Sequence, residues 1–141
     1  MVSRWLTLER WLLVSRCVTR QRIALGKTGE DLAVAELERR GYEVIARRWR
    51  SRAGEIDIIA RDGGTLVFIE VKARDGHDFG DGSESVTMRK RQTIVRLARQ
   101  YVVDANWTDR PCRFDVVTIH FDSGHPEVTV YAGAFDESGR A

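Results

Sequence analysis

The chain of 141 residues is poor in several residues that would mark a protein class. It has two cysteines, Cys17 and Cys112, far apart and in no CxxC arrangement. That supports neither a disulfide framework nor a cysteine zinc site. The histidines, His77, His120 and His125, are too few and too scattered for a histidine metal centre. No stretch approaches the roughly 20 apolar residues of a membrane-spanning helix. The short apolar run Trp11–Val14 is preceded by Glu9 and Arg10, which interrupt any signal-like core. The expectations are therefore no membrane span and a cytoplasmic location. There is no P-loop, no GxGxxG, no GxSxG and no internal repeat, so those readings lack support. Lysine is scarce as well: Lys27, Lys72 and Lys90 are three of 23 basic residues.

What is present is the balance of a globular domain, with 43% hydrophobic and 31% charged residues. The length suits one domain. The formal net charge is +2, but it is unevenly spread. Residues 1–27 hold six basic residues against Glu9, a local charge of +5, which leaves −3 for residues 28–141. Trp5, Leu8, Leu12, Trp11, Val14 and Val18 form a rough helical stripe there. Residues 1–23 read either as a weakly ordered extension or as a basic amphipathic helix that touches nucleic acid, a membrane surface or a partner. Residues 24–136 read as the domain proper, and residues 137–141 as a tail.

Within the domain, a helix is expected from Thr28, with Thr28 as N-cap, Gly41 as the stop, and Ala33, Val34 and Leu37 on its buried face. Strands are expected at Tyr42–Trp49, Gly54–Arg61 and Thr65–Ala73, the last two joined at Asp62-Gly63-Gly64. Thr65–Ala73 is the most hydrophobic and hence central. A Gly- and Asp-rich loop over 74–84 leads to a second helix from Ser85, with Ile94, Leu97, Ala98, Tyr101 and Val102 on one face. Strands Arg113–Phe121 and Val128–Phe135 close the pattern. The order α-β-β-β-α-β-β predicts an α/β fold with a mixed central sheet.

Four charged residues, Glu55, Asp57, Glu70 and Lys72, interrupt strands that otherwise look buried. An unpaired buried charge is costly, so their placement needs a cause. A two-residue turn at Gly63-Gly64 pairs Asp62 with Thr65, Asp57 with Glu70 and Glu55 with Lys72. All four then share one face, while Ile56, Ile58, Ile69 and Val71 share the other. Opposed carboxylates repel unless a proton or a cation sits between them. A hard cation such as Mg²⁺ suits two carboxylates plus waters and phosphate oxygens. Lys72 is then placed to orient a water or to stabilise developing negative charge. Glu30, on the stripe 30, 33, 34, 37, either joins this group or serves as an ordinary first-turn acid at the helix dipole. A plain structural reading also stands: a Glu55–Lys72 ion pair with Asp57 at a sheet edge.

Asp57, twelve intervening residues, then Glu70-Val71-Lys72 resembles the PD-(D/E)xK nuclease signature, with Ile56 where that signature has Pro. More narrowly, Gly29-Glu30, Gly54-Glu55-Ile56-Asp57, Phe68-Ile69-Glu70-Val71-Lys72, Lys90, Ala98-x-x-Tyr101, Arg113-Phe114-Asp115-Val116-Val117 and Ala134-Phe135 resemble the bacterial YraN-like family. That family is largely uncharacterised and similar to archaeal Holliday-junction resolvases. The likeness covers about residues 24–136 and departs at Arg48, where the family usually shows Asn.

The resemblance implies a restriction-endonuclease-like core and a Mg²⁺-dependent endonuclease acting on DNA, with branched structures among the candidate substrates and Mn²⁺ as a substitute ion. It implies Asp57, Glu70 and the Val71 carbonyl as metal ligands, Glu30 as an additional acid and Lys72 as the residue assisting water. Glu55 reads as support for these or as the partner of Lys72, and Asp115 as structural. Arg50, Arg52, Arg74, Arg89, Lys90 and Arg91 bracket the motif and are candidates for phosphate contacts. A homodimer would suit a symmetric junction. The alternative is a non-catalytic nucleic-acid-binding module on the same fold.

Overall fold

The computed structural model describes residues 28–74, 86–121 and 125–141. The stripe of residues 5–18 and most of the expected loop 74–84 lie outside them. Helix α1 occupies residues 28–39. Thr28 is the first described residue and already belongs to the helix. Gly41 does end the helix: at φ 93° it lets its own N–H reach the Glu38 carbonyl and the Tyr42 N–H reach the Leu37 carbonyl. This pair of bonds is a Schellman ending, which needs a left-handed residue at that point.

Five strands follow, β1 (Glu43–Ser51), β2 (Gly54–Asp62), β3 (Thr65–Arg74), β4 (Cys112–His120) and β5 (Glu127–Phe135), with α2 (Met88–Asp104) between β3 and β4. The second helix thus begins at Met88 rather than near Ser85. The Thr87 side chain caps it by accepting the Lys90 N–H. Sheet order equals chain order, β1-β2-β3-β4-β5. Only β3 and β4 run parallel, so this is the connection that requires a crossover, which α2 supplies. The result is an α/β fold with a mixed five-stranded sheet in the order α-β-β-β-α-β-β.

Alternation along the strands distributes the core to both faces. Leu66 and Phe68 of β3 pack with Ile94, Leu97 and Ala98 of α2. Val67 and Ile69 pack with Ala33 and Leu37 of α1. Each of the larger side chains among these contributes roughly 1.5–3 kcal/mol on burial. β3 is central and is buried without interruption from Leu66 to Glu70. On the α2 side, Phe68, Phe114 and Phe135 stack in series at centroid distances of 5.8 and 5.1 Å. Trp49 and Tyr101 meet edge-on at 5.4 Å.

Asp115 is fully buried and fully used. Arg113 donates to it in a fork, Nε to Oδ1 at 2.8 Å and Nη2 to Oδ2 at 3.0 Å. The Tyr42 hydroxyl and the Gly133 N–H complete the set at 3.1 and 2.9 Å. This satisfied network joins the chain just after α1 to β4 and β5, and it gives Asp115 a structural role. Residues 136–140 form a turn: the Asp136 N–H donates to the Arg140 carbonyl at 2.8 Å, and Gly139 lies against Met88 and Arg91.

Candidate functional site

The β2–β3 ladder follows the expected register from Asp62–Thr65 to Ile58–Ile69 and then stops. Past that point the Val71 N–H donates not to a backbone carbonyl but to Asp57 Oδ2, at 2.8 Å. The expected ladder pairs Asp57–Glu70 and Glu55–Lys72 are therefore not formed as such. A carboxylate has taken the place of a ladder bond and the strands part. The same break moves Ile56 to the α2 side, away from Ile58 and Ile69. The single apolar face drawn from strict alternation thus fails at one residue. Gly54, at φ 147° and close against Thr93 and Leu97 of α2, sits where this irregular stretch begins.

The parting leaves the Asp57 and Glu70 carboxyl groups facing each other. Glu70 is 5% exposed, and with both groups ionised its Oε2 has no hydrogen-bond partner among the described residues. Burial and then the Asp57 charge push the Glu70 carboxyl well above the usual carboxylate range, while Lys90 and Lys72 pull the other way. Asp57 is also raised, chiefly by burial, with the Val71 N–H opposing. A proton shared between the two groups, or a cation, would relieve both. Lys72 Nζ stands 3.9 Å from Glu70 Oε1, and Lys90 Nζ, from the first turn of α2, stands 3.8 Å from the same atom. These are ion-pair distances rather than hydrogen bonds.

Glu30 reaches this region from α1, and its charge adds to the rise at Asp57. It is 7% exposed and already neutralised: Arg47 Nε donates to Oε1 at 2.8 Å and Arg48 Nε to Oε2 at 2.9 Å. Arg47 Nη2 continues to Asp31 at 2.6 Å. Gly29 allows α1 to come this close, since a Cβ there would lie 3.2 Å from the Ala73 Cβ. Glu55 is bound by Arg50 Nε at 2.6 Å, so its partner is Arg50 and not Lys72.

Among the described residues no three His, Cys, Asp or Glu side chains converge as a metal-holding group. The site is a carboxylate pair. Two facing carboxyls, one with an orphan oxygen, fit a hard cation that brings its own waters. Glu30 does not fit as a free ligand while both its oxygens are held by guanidinium groups.

The other candidates are dispersed. Arg50 is exposed but tied to Glu55, Arg52 and Arg89 are exposed, and Arg74 is half-buried at the end of β3. Arg91 does not belong to an exposed basic surface. It is 8% exposed, lies over the Phe135 ring and donates to the Gly139 carbonyl. Apolar burial of its stem on the core face of α2 explains this. Sequence reasoning missed the position of Lys90 at the carboxylates and the double arginine grip on Glu30. The signal for the second was the adjacent Arg47-Arg48 within a strand, where one of two neighbours should point away.

The chain resembles known proteins over this region. The model of the uncharacterised protein family UPF0102 matches residues 29–119, a span that contains Glu30, Asp57, Glu70, Lys72 and Lys90. A UPF0102 protein of Nocardia farcinica is 47% identical over 105 residues, 74% of this chain and 83% of the relative. One of Roseiflexus castenholzii is 45% identical over 114 residues, covering 80% and 92%. One of Symbiobacterium thermophilum is 47% identical over 95 residues, covering 67% and 80%.

Proposed function

Because the chain belongs to the uncharacterised UPF0102 family, within the restriction-endonuclease-like superfamily, we propose that it is a metal-dependent nuclease that hydrolyses phosphodiester bonds in DNA. The observation that carries this reading is the buried carboxylate pair Asp57 and Glu70 with the orphan Oε2, and with Lys72 and Lys90 within 4 Å of Glu70. Strained charge of this kind is the mark of a site kept for chemistry rather than stability.

Asp57, Glu70 and the Val71 carbonyl would hold Mg²⁺ or Mn²⁺. The ion would polarise the scissile phosphate and lower the pKa of an attacking water. The protein's own share is positional. The Val71 N–H fixes one oxygen of Asp57, so the carboxyl cannot rotate away from Glu70. Lys72 is 38% exposed at its side chain, open enough to meet a phosphate and close enough to Glu70 to be held in place. It would orient the incoming water or balance the negative charge that builds on the phosphate oxygens. Lys90 gives a second positive group from the opposite element.

The test is cleavage of labelled duplex, flap and four-way-junction DNA in Mg²⁺ or Mn²⁺ by the wild type, Asp57→Asn and Lys72→Ala. Cleavage by the wild type that falls at least about 100-fold in both variants is expected. Equal residual cleavage by all three would sink the proposal. A second reading, a binding module without catalysis, is favoured by one observation: Glu30 is already neutralised by Arg47 and Arg48, which leaves Asp57 and Glu70 as the carboxylate pair of the site. Mn²⁺ titration by calorimetry separates the readings, because only a metal site yields heat that vanishes in Asp57→Asn.

A further inference from the structure

Arg48 has a backbone that its residue type does not favour. Its φ is 51°, in the left-handed region, within a strand. A non-glycine side chain there costs of order 1 kcal/mol or more and persists only where the surroundings hold it. Its neighbours in β1 show what the conformation achieves. Ala46 and Trp49 pack on the α2 side. Regular alternation would send Arg47 and Arg48 to opposite faces. The left-handed residue instead brings both guanidinium groups onto the two oxygens of Glu30.

The two arginines are used differently. Arg47 spends Nε on Glu30 and Nη2 on Asp31. Arg48 spends only Nε, and among the described residues neither of its terminal nitrogens has a partner. Its side chain is 43% exposed. In the sheet Arg48 lies between the pairs Arg47–Ile58 and Trp49–Ile56, that is, across from Asp57. An arginine fixed at Nε by a buried carboxylate, with its outer edge open beside a carboxylate pair, has the geometry of a preset phosphate clamp.

We propose that Arg48 binds a backbone phosphate of the nucleic acid next to the reacting one, and that Glu30 is the residue that positions it. The inference rests on the nuclease reading for the identity of the ligand, but it does not require cleavage. It assigns Glu30 to the arginine rather than to a metal. The contact is to phosphate, so it adds affinity without reading sequence. Arg50 and Arg52 continue the same edge of the sheet, Arg50 already tied to Glu55.

The experiment measures binding of fluorescein-labelled duplex and four-way-junction DNA to the full chain, in EDTA, over a range of salt. Arg48→Asn and Arg48→Gly both accept a left-handed backbone, so the fold is kept, and thermal melting checks that. Arg61→Asn is the control, since Arg61 pairs with Glu43 at the far end of β2. Loss of one phosphate contact should lower the slope of log K against log salt by about 1. It should weaken binding roughly tenfold at low salt, equally for different duplex sequences. Arg48→Lys should restore most of the slope, and Arg61→Asn should leave it unchanged. A wild-type chain that binds DNA with the same slope and affinity as Arg48→Asn and Arg48→Gly overturns the inference and leaves the nuclease reading intact. A wild-type chain that neither binds nor cleaves DNA overturns both.

Discussion

Glu70 is held in the fold at an electrostatic cost. Its carboxyl is raised, first by burial and then by Asp57. The sign follows from linkage: the folded chain keeps a proton that the unfolded chain has released above an ordinary carboxylate pKa. Stability is therefore full below that value and falls as pH rises toward the ionisation of Glu70 in the fold. In metal-free buffer Glu70→Gln should melt at a higher temperature than the wild type near neutral pH, and the difference should vanish in acid. A lower melting temperature for the variant at neutral pH would contradict this. Tyr42 gives the opposite case, a group that supports the fold. Burial, then the Asp115 charge, pushes its phenol up to about 12. Its contribution is complete below about pH 10 and is lost as pH rises through 12. Tyr42→Phe should cost about 1–3 kcal/mol at neutral pH, by removing a donor from buried Asp115 and an acceptor from Arg113. It should also lose the alkaline limb seen in the wild type. Urea titrations from pH 7 to 12 measure both effects.

At the scale of elements, the site depends on how closely α1 approaches the sheet. Gly29 is helical, and alanine there would ordinarily gain about 1 kcal/mol in helix propensity. The 3.2 Å approach of its notional Cβ to the Ala73 Cβ, with Ile119 Cδ1 at 3.4 Å, removes that gain. Gly29→Val should destabilise by about 1–3 kcal/mol through overpacking and shift Glu30 off Arg48. Thermal melting reads the first effect and the DNA salt slope reads the second. The other element-level feature is the parting of β2 from β3. Strict period-2 alternation identified the register from Ile58 to Asp62 correctly. It could not foresee that Asp57 would replace a ladder acceptor, because a side chain's bond to a neighbouring strand leaves no periodic trace in the sequence.

Across the whole molecule, the C-terminal residues brace the helix that carries Lys90. Gly139 accepts from Arg91 and packs on Met88, while Asp136 accepts from the Ser138 and Arg140 N–H groups. A chain ending at Phe135 should lose about 1–3 kcal/mol in urea unfolding. If the nuclease reading holds, it should also lose part of its activity, since the first turn of α2 would no longer be tied down. The near-neutral total of +2 says little about binding. Much of the acidic charge around the site is matched locally: Glu30 by Arg47 and Arg48, Glu55 by Arg50, and Asp115 by Arg113. Among the described residues, the partly exposed side chains near Asp57 and Glu70 include the cations Lys72, Lys90 and Arg48.

From the sequence alone came the element order, the α/β class, the central place of β3, the hairpin register near its turn, and the family signature Asp57, Glu70 and Lys72. These rest on local periodicity, turn chemistry and the oddity of charge inside apolar strands, all written within a few residues of each other. Tertiary structure decided the rest. It gave Glu30 to two arginines, Glu55 to Arg50, Lys90 to Glu70 and Arg91 to the core. Each of those pairings depends on distances between elements, and on one left-handed residue in β1, that no spacing along the chain encodes.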